Sequence, residues 1–523
     1  MSLLIRNPTV VDGTGAPPRR ADLAVEGDII TAVGKVSGSA KQIIDASGQF
    51  VAPGFIDIHS HTDHLLLANP LAESKLLQGV TCEVGGNCGV SAAPLEREHE
   101  LTMAEALAPY GAQVDWQELD EFLTRLDKCR IGPNFATLVG HGNLRGRALG
   151  HESTEATLDE MDKMKEEAQR AFRQGAFGIS AGLVYPPGCY ADAEELTEVV
   201  GTARGHGFFS LHMRDEGAHL RESVEEALRI CHHSRVPLHI SHHKVTGEKN
   251  WGLVKDTVGK IEEARRAGLD VTADIYPYTA TNTDLSVVLP DWVKQGGMKA
   301  MLSRLGDSTA LERIKQDWGS RATDPEEWEG YIISRTFDME NKRKGLEGTR
   351  ISEVCQAWRQ TPLEIVVSLL RADEGRTEII RFGISEEDIE TVLQQPWTMV
   401  GSDAAAKDFK EEWGHPHPRG FGTFPRVLAE YVRERGILAL QEAIRKMTSL
   451  PAWRLGLADR GRIAPGCKAD LVVFDLSSIA DKATYQQPLQ APQGITWVIV
   501  NGVVVAREGK LTGARPGMVL RAQ

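Results

Sequence analysis

The sequence has 523 residues, 41% of them hydrophobic and 25% charged, a balance that lets a soluble chain bury a sizeable core and excludes disorder across the main body. A formal net charge of −14 argues against nucleic acid as a partner and means that an anionic small-molecule substrate needs its own local cations. Seven scattered cysteines argue against a disulfide framework, no apolar run reaches a membrane-spanning length, and the amino terminus lacks an apolar signal core, so the chain reads as a cytoplasmic protein with no signal for a particular oligomeric state.

The first fifty residues are short β pieces separated by turns, in LLIRNPTVVDG, ADLAVEGDIITAVG and KQIIDASGQFVAPG. The same texture returns near the other end, in ADLVVFDL and TWVIVNGVVVAREGKLTG, where Asn-Gly and Gly turns divide alternating apolar runs. This predicts one discontinuous β-sandwich domain built from residues 1–52 and 460–523.

Between these ends, apolar runs alternate with amphipathic helical stretches such as LDEMDKMKEEAQRAFRQG and ESVEEALRICHHS. Eight candidate strands end in polar residues: GFIDIHSH, GVTCEVGGN, NFATLVGHG, AFGISAGLVY, FFSLHMRDE, PLHISHHK, DVTADIYPY and TMVGSDA. Strands alternating with helices imply a parallel sheet, and eight imply a closed (β/α)8 TIM-like barrel over 53–459, an α/β fold. The gap after the seventh strand is too long for one crossover helix, so residues near 285–375 read as an inserted helical subdomain over the barrel mouth.

Chemistry-bearing residues gather at these strand ends, where barrel enzymes keep their active sites. His59 and His61 are two apart at the end of the first strand, so both can face one ion. Cys88 lies among glycines in VGGNCGVS, and His212 and His242 end the fifth and sixth strands. His239 and His243 compete with His242, which alternation places on the same face as Lys244. Sulfur with two imidazoles is a zinc set that leaves a fourth position for water. Asp403, in MVGSDAAA, adds a carboxylate. Taken singly, His-x-His also suits a satisfied core, Cys88 a small buried hydrophobe and Asp403 a helix N-cap; the convergence of all of them on one barrel face points to a metal hydrolase. Arg214, Asp215 and Glu216 read as a structural ion-pair network, and His141 and Asn143 as turn residues or substrate donors.

The segments PGFIDIHSHTD, GVTCEVGGNCGVSAAPL, SLHMRDEG, ISHHK, DIYPYTA, GSDAA and HPHPRGFGTFPRVL resemble the N-acyl-D-amino-acid deacylases (D-aminoacylases) of the amidohydrolase superfamily, over nearly the whole chain. The resemblance implies a tightly held zinc on Cys88, His212 and His242 and a second, weaker metal position using His59, His61 and Asp403. It also implies that Asp403 acts as the general base and that Lys244, Arg419 and a tyrosine of the YPY motif hold the substrate carboxylate. Tyr276 is preferred to Tyr278 by its spacing from Lys244, and Tyr185 lines the pocket. Two departures bear on substrate preference: TATNT follows YPY where several relatives have Ser, and the segment between Asp403 and HPHPR is longer here.

The implied activity is zinc-dependent hydrolysis of the linear amide of an N-acyl-D-amino acid. A cyclic-amide hydrolase of the hydantoinase or dihydroorotase kind is the alternative within the same fold, weighed against by Cys88 and by the absence of a lysine suited to bridging two metals. A non-catalytic scaffold is the alternative from another class, weighed against by the full ligand set with Asp403.

Overall fold

Apolar runs buried along their whole length form the inner wall of the molecule. In the computed structural model, which describes residues 1–410 and 413–522, they are Phe55–Asp57, Val80–Gly85, Asn134–Thr137 continuing as Val139–Gly140, Gly178–Gly182, Phe208–His212, Leu238–Ile240, Val271–Ile275 and Thr398–Val400. Neighbours pair in parallel, in registers such as Asn134 with Cys82, Ser180 with Ser210 and Ala273 with Thr398. A parallel bridge between Ser60 and Ala404 closes the ring. Since all eight strands run the same way, their C-terminal ends open on one rim.

The outer helices follow from capping and periodicity. Leu158–Arg173 starts at Thr157, whose hydroxyl accepts the Glu160 N–H while Glu160 accepts the Thr157 N–H, and it buries Met164, Ala168, Ala171 and Phe172 on one stripe. Inside the barrel, Ile56, Val84, Ala136, Phe177, Phe208 and Met399 pack with Leu450 and Leu455. Residues near the C-terminus run beside the third strand, with the Leu520 N–H donating to the Phe135 carbonyl at 2.7 Å.

Strands from both ends of the chain share a seven-stranded sheet, in which Phe50–Pro53 lies antiparallel to Leu471–Phe474. A four-stranded sheet holding Leu3–Arg6 and Asp22–Glu26 faces it across a core of Leu3, Ile5, Leu23, Val51, Leu471 and Ile499.

The insertion after the seventh strand is mixed rather than purely helical. Its helices surround a core that includes Leu285, Ile314, Trp328, Ile351 and Leu370, and an antiparallel sheet joins Ala280–Asp284, Glu378–Phe382 and Tyr331–Arg335. Tyr331–Arg335 is only five residues long, and its partner strands lie outside 285–375. Its period-two signal is therefore too short to separate it from a helical turn.

One buried ammonium binds the rim together. Lys75 Nζ donates to Asp57 Oδ2 and Ser402 Oγ, both at 2.6 Å, and to the Ala404 carbonyl at 2.8 Å, with Glu83 at 3.5 Å. It thereby ties the first, second and eighth strands. Burial raises the Glu83 carboxyl despite Lys75. Lys75→Met leaves Asp57 buried without its counter-charge and is expected to cost about 3–5 kcal/mol of unfolding free energy, read from urea denaturation; a loss below about 1 kcal/mol would contradict this role for the ion pair.

Candidate active site

Three site residues stand where the backbone leaves the barrel in the left-handed region: Cys88 at φ 53°, His242 at φ 34° and Asp403 at φ 50°. Each such conformation costs on the order of 1–3 kcal/mol in a non-glycine residue. The GGNCG run needs two of its glycines for close approach: a Cβ at Gly86 would lie 2.1 Å from the Leu138 carbonyl oxygen, and one at Gly89 would lie 2.6 Å from the Gly182 nitrogen. Cys88 is thereby turned into the barrel mouth.

Two imidazoles are held in the same manner. His59 Nδ1 lies 3.1 Å from Asp274 Oδ2, and His242 Nδ1 lies 2.8 Å from Glu216 Oε1. A carboxylate at Nδ1 keeps a proton there and makes Nε2 the nitrogen that can turn to a metal ion. Both Nε2 atoms then face Cys88 Sγ, at 3.3 Å from His59 and 3.7 Å from His242. His212 Nδ1 lies 3.0 Å from His242 Nε2. Asp403 Oδ1 is 3.4 Å from His59 Nε2 and 2.9 Å from His61 Nε2. The donor atoms of His59, Cys88, His242 and Asp403 all lie within 4.8 Å of one another, and all four residues are buried. Two imidazole nitrogens, a sulfur and a carboxylate oxygen converge in a group that could hold a cation, and the sulfur and nitrogen donors suit zinc.

The charges agree with this arrangement. Burial opposes ionisation of Cys88, yet charge on His59 and hydrogen bonds from His212, His242 and His59 hold the thiol well below its ordinary value. Burial likewise opposes ionisation of Asp403, but Arg419, His59 and His242 hold it well below the usual carboxylate range. Asp274 and Glu216 are also depressed against burial, by His59 with His239 and by Lys244 with His242 respectively.

The site opens into a cavity of about 2010 Å³ between the barrel rim and the insertion, roomier than the ~300–1,000 Å³ of common ligand pockets. Arg419 Nη1 lies 2.8 Å from Asp403 Oδ2, and its guanidinium stacks 4.6 Å above the Tyr276 ring. Arg419 Nε and the Tyr276 hydroxyl are buried with no hydrogen-bond partner among the described residues. Tyr276 is on the cavity wall, whereas Tyr278 packs behind it, with Arg426 5.0 Å from its ring. The Tyr185 hydroxyl is 3.0 Å from Thr283 Oγ1, at the edge of the same cavity.

The barrel thus brings His59, His61, Cys88, His212, His242, Asp403, Arg419, Tyr276 and Tyr185 to one cavity. Lys244 is there too, but its ammonium is engaged, 2.7 Å from Glu216 and donating to the His242 carbonyl at 3.1 Å. Glu216 does not belong to a network with its neighbours: Arg214 turns away to Glu226 and to the carbonyls of Cys189 and Ala191, and Asp215 accepts the Gly217 N–H. His239 is buried beneath the site on Asp274 and Thr272. Alternation is not what selects His242, because the sixth strand ends at Ile240 and the left-handed turn aims the ring. His141 is buried against Glu195, and Asn143 accepts the Ser91 N–H. Asp274 is absent from the sequence reading, although an acid in the middle of a fully buried strand, VTADI, is a signal in itself.

The chain is similar to known proteins over nearly its whole length. The model of the amidohydrolase family matches residues 42–506. The D-aminoacylase of Alcaligenes xylosoxydans xylosoxydans is 38% identical over 99% of this chain and 97% of its own length, and the N-acyl-D-glutamate deacylase of the same organism is 35% identical over 100% and 96%. The crystal structure of N-acyl-D-glutamate deacylase from Bordetella bronchiseptica, complexed with zinc and a phosphonate mimic of the tetrahedral intermediate, superposes with a TM-score of 0.85 at 34% identity, covering 100% of both chains.

Glu216→Gln keeps the size of the side chain but weakens its hold on the His242 Nδ1 proton. Affinity for Zn²⁺ is expected to fall by about 10–100-fold, measured by competition with a chromophoric chelator; unchanged affinity would detach Glu216 from the metal ligands.

Proposed function

The chain belongs to the amidohydrolase family, and we propose that it hydrolyses the amide bond of N-acyl-D-amino acids with zinc, giving a free D-amino acid and a carboxylic acid. The observation that carries this reading is the pair of carboxylate-anchored imidazoles whose Nε2 atoms meet Cys88 beside Asp403. Cys88, His212 and His242 would hold a tight zinc, with His242 Nε2 3.7 Å from Cys88 Sγ and 3.0 Å from His212 Nδ1, and His59, His61 and Asp403 a weaker one, with Asp403 Oδ1 2.9 Å from His61 Nε2 and 3.4 Å from His59 Nε2. Bound zinc supplies Lewis acidity, which polarises a carbonyl and makes water a nucleophile near neutral pH.

The remaining steps fall to side chains. Asp403, ionised through neutral pH, accepts the proton of the attacking water and passes it to the departing amine, which must leave protonated. The unpartnered donors of Arg419 and Tyr276 receive the substrate α-carboxylate, since a buried donor left without a partner costs about 1–3 kcal/mol that an anion recovers. Lys244 holds Glu216 in place and adds positive charge beside that carboxylate. Tyr185 borders the remaining space. With the carboxylate and the amide both fixed, one hand at the α-carbon directs its side chain into the cavity and the other into the wall.

Residues 1–52 with 460–523 are assigned as one β unit and 53–459 as the catalytic unit, supported by the pairing of Phe50–Pro53 with Leu471–Phe474. No helix among the described residues is long and apolar enough to cross a membrane. All seven cysteines are unpaired, which suits a cytoplasmic setting.

Asp403→Asn is expected to retain tightly bound zinc while turnover of N-acetyl-D-amino acids falls by at least ~100-fold, and Cys88→Ala to lose zinc and turnover together. Metal analysis beside a hydrolysis screen of N-acetyl-D- and L-amino acids checks both. Preference for L-substrates, or full zinc in Cys88→Ala, would overturn the reading.

A further inference from the structure

The chain is strongly acidic, yet Lys and Arg side chains outnumber Asp and Glu along the wall of the active-site cavity. Several of these cations are already engaged: Arg419 with Asp403, Lys244 with Glu216, Lys294 with Asp291, and Arg376 with Glu105. Lys407 and Arg335, beside one indole, lack a close carboxylate. Among the described residues, no carboxylate lies within ion-pair distance of Lys407 Nζ, whose neighbour is the Trp413 ring at 5.5 Å. The guanidinium of Arg335 sits 5.2 Å from the same ring, reaches Glu378 only at 4.0 Å, and has a buried Nε with no hydrogen-bond partner.

Arg335 ends the strand Tyr331–Arg335 with its guanidinium also 4.6 Å from the Phe337 ring, and the backbone around Lys407 is held in position. The Lys407 N–H donates to Ser74 Oγ and the Ser74 N–H to the Lys407 carbonyl, each at 3.0 Å, and the Ala406 N–H donates to Thr62 Oγ1 at 2.9 Å. Trp413 is buried, with its Nε1 donating to Asp408 Oδ1 at 2.7 Å. Burial, against the pull of Glu378 and together with like charge on Arg335 and Arg419, brings the Lys407 ammonium down to about 8. Glu378 acts on both cations and cannot neutralise the two. Two like charges around one indole, with donors unused, are stabilised by an incoming anion.

Lys407 stands four residues after Asp403. We infer that Lys407 and Arg335 form a second anion-recognition point in the cavity, which selects N-acyl-D-amino acids carrying a second carboxylate, in either the amino-acid side chain or the acyl group. This rests on the deacylase reading above, in which Arg419 and Tyr276 take the α-carboxylate.

The test uses zinc-loaded full-length protein and three substrates: N-acetyl-D-leucine with one carboxylate, and N-acetyl-D-glutamate and N-succinyl-D-leucine with two. For each dicarboxylate, kcat/KM is divided by that for N-acetyl-D-leucine in the same preparation, so any loss of folded protein cancels. Lys407→Ala is expected to lower at least one ratio by about tenfold or more, and Lys407→Arg to restore it, because the charge and not the ammonium shape is read. A fall in the glutamate ratio places the second carboxylate in the side chain; a fall in the succinyl ratio places it in the acyl group. Ratios that stay within about twofold of wild type, with N-acetyl-D-leucine still hydrolysed, overturn this inference alone. Failure to hydrolyse any of the three overturns the deacylase reading with it.

Discussion

Two carboxylates that never meet the substrate determine what this site can do. Asp274 and Glu216 each take the Nδ1 side of a histidine, and by doing so they turn the Nε2 atoms of His59 and His242 toward Cys88. A neutral imidazole can donate from only one nitrogen, so fixing the proton on the outer side creates an acceptor on the inner side. The arrangement is costly without a cation, since it buries ionised acids and sets three residues at positive φ. His239 and Lys244 offset part of that cost by bonding to Asp274 and Glu216.

The barrel supplies the stiffness that such a site requires. Its ring closes where Ser60 meets Ala404, one residue from His59 on one side and from Asp403 on the other. Lys75 fastens the same corner from beneath through Asp57, Ser402 and Ala404. The ligands therefore stand on strand ends whose spacing is set by the closed sheet and by a buried ion pair, and the long, varied loops above them are left to choose the substrate.

Much of this was legible in the residues because it is written locally. Fully buried parallel strands are short apolar runs, and the polar residues that terminate them project from the rim; His59, His61, Cys88, His212 and Asp403 could all be read in that way. The orienting partners could not. Asp274 reaches His59 across 215 residues and Lys75 reaches Ser402 across 327, pairings that exist only after the barrel closes. Glu216 sits two residues from an arginine in sequence and still bonds elsewhere, because the loop after the fifth strand turns Arg214 toward Glu226. The choice between Tyr276 and Tyr278 was visible only as spacing, and what separates them in space is a tight turn, with the Tyr278 N–H on the Tyr276 carbonyl, that puts one ring on the cavity wall and the other against Arg426. The three-stranded sheet of the insertion was hidden for the same reason as Asp274: its strands are short and their partners are far away in sequence.

X-ray absorption at the zinc edge of the purified protein tests the account most directly, since it reads the donors around the metal without reference to substrate. One sulfur at about 2.3 Å with nitrogen or oxygen ligands at about 2.0–2.2 Å is the expected shell, and the sulfur contribution should vanish in Cys88→Ser. A wild-type shell of nitrogen and oxygen alone would place the zinc elsewhere and contradict the role given to Cys88.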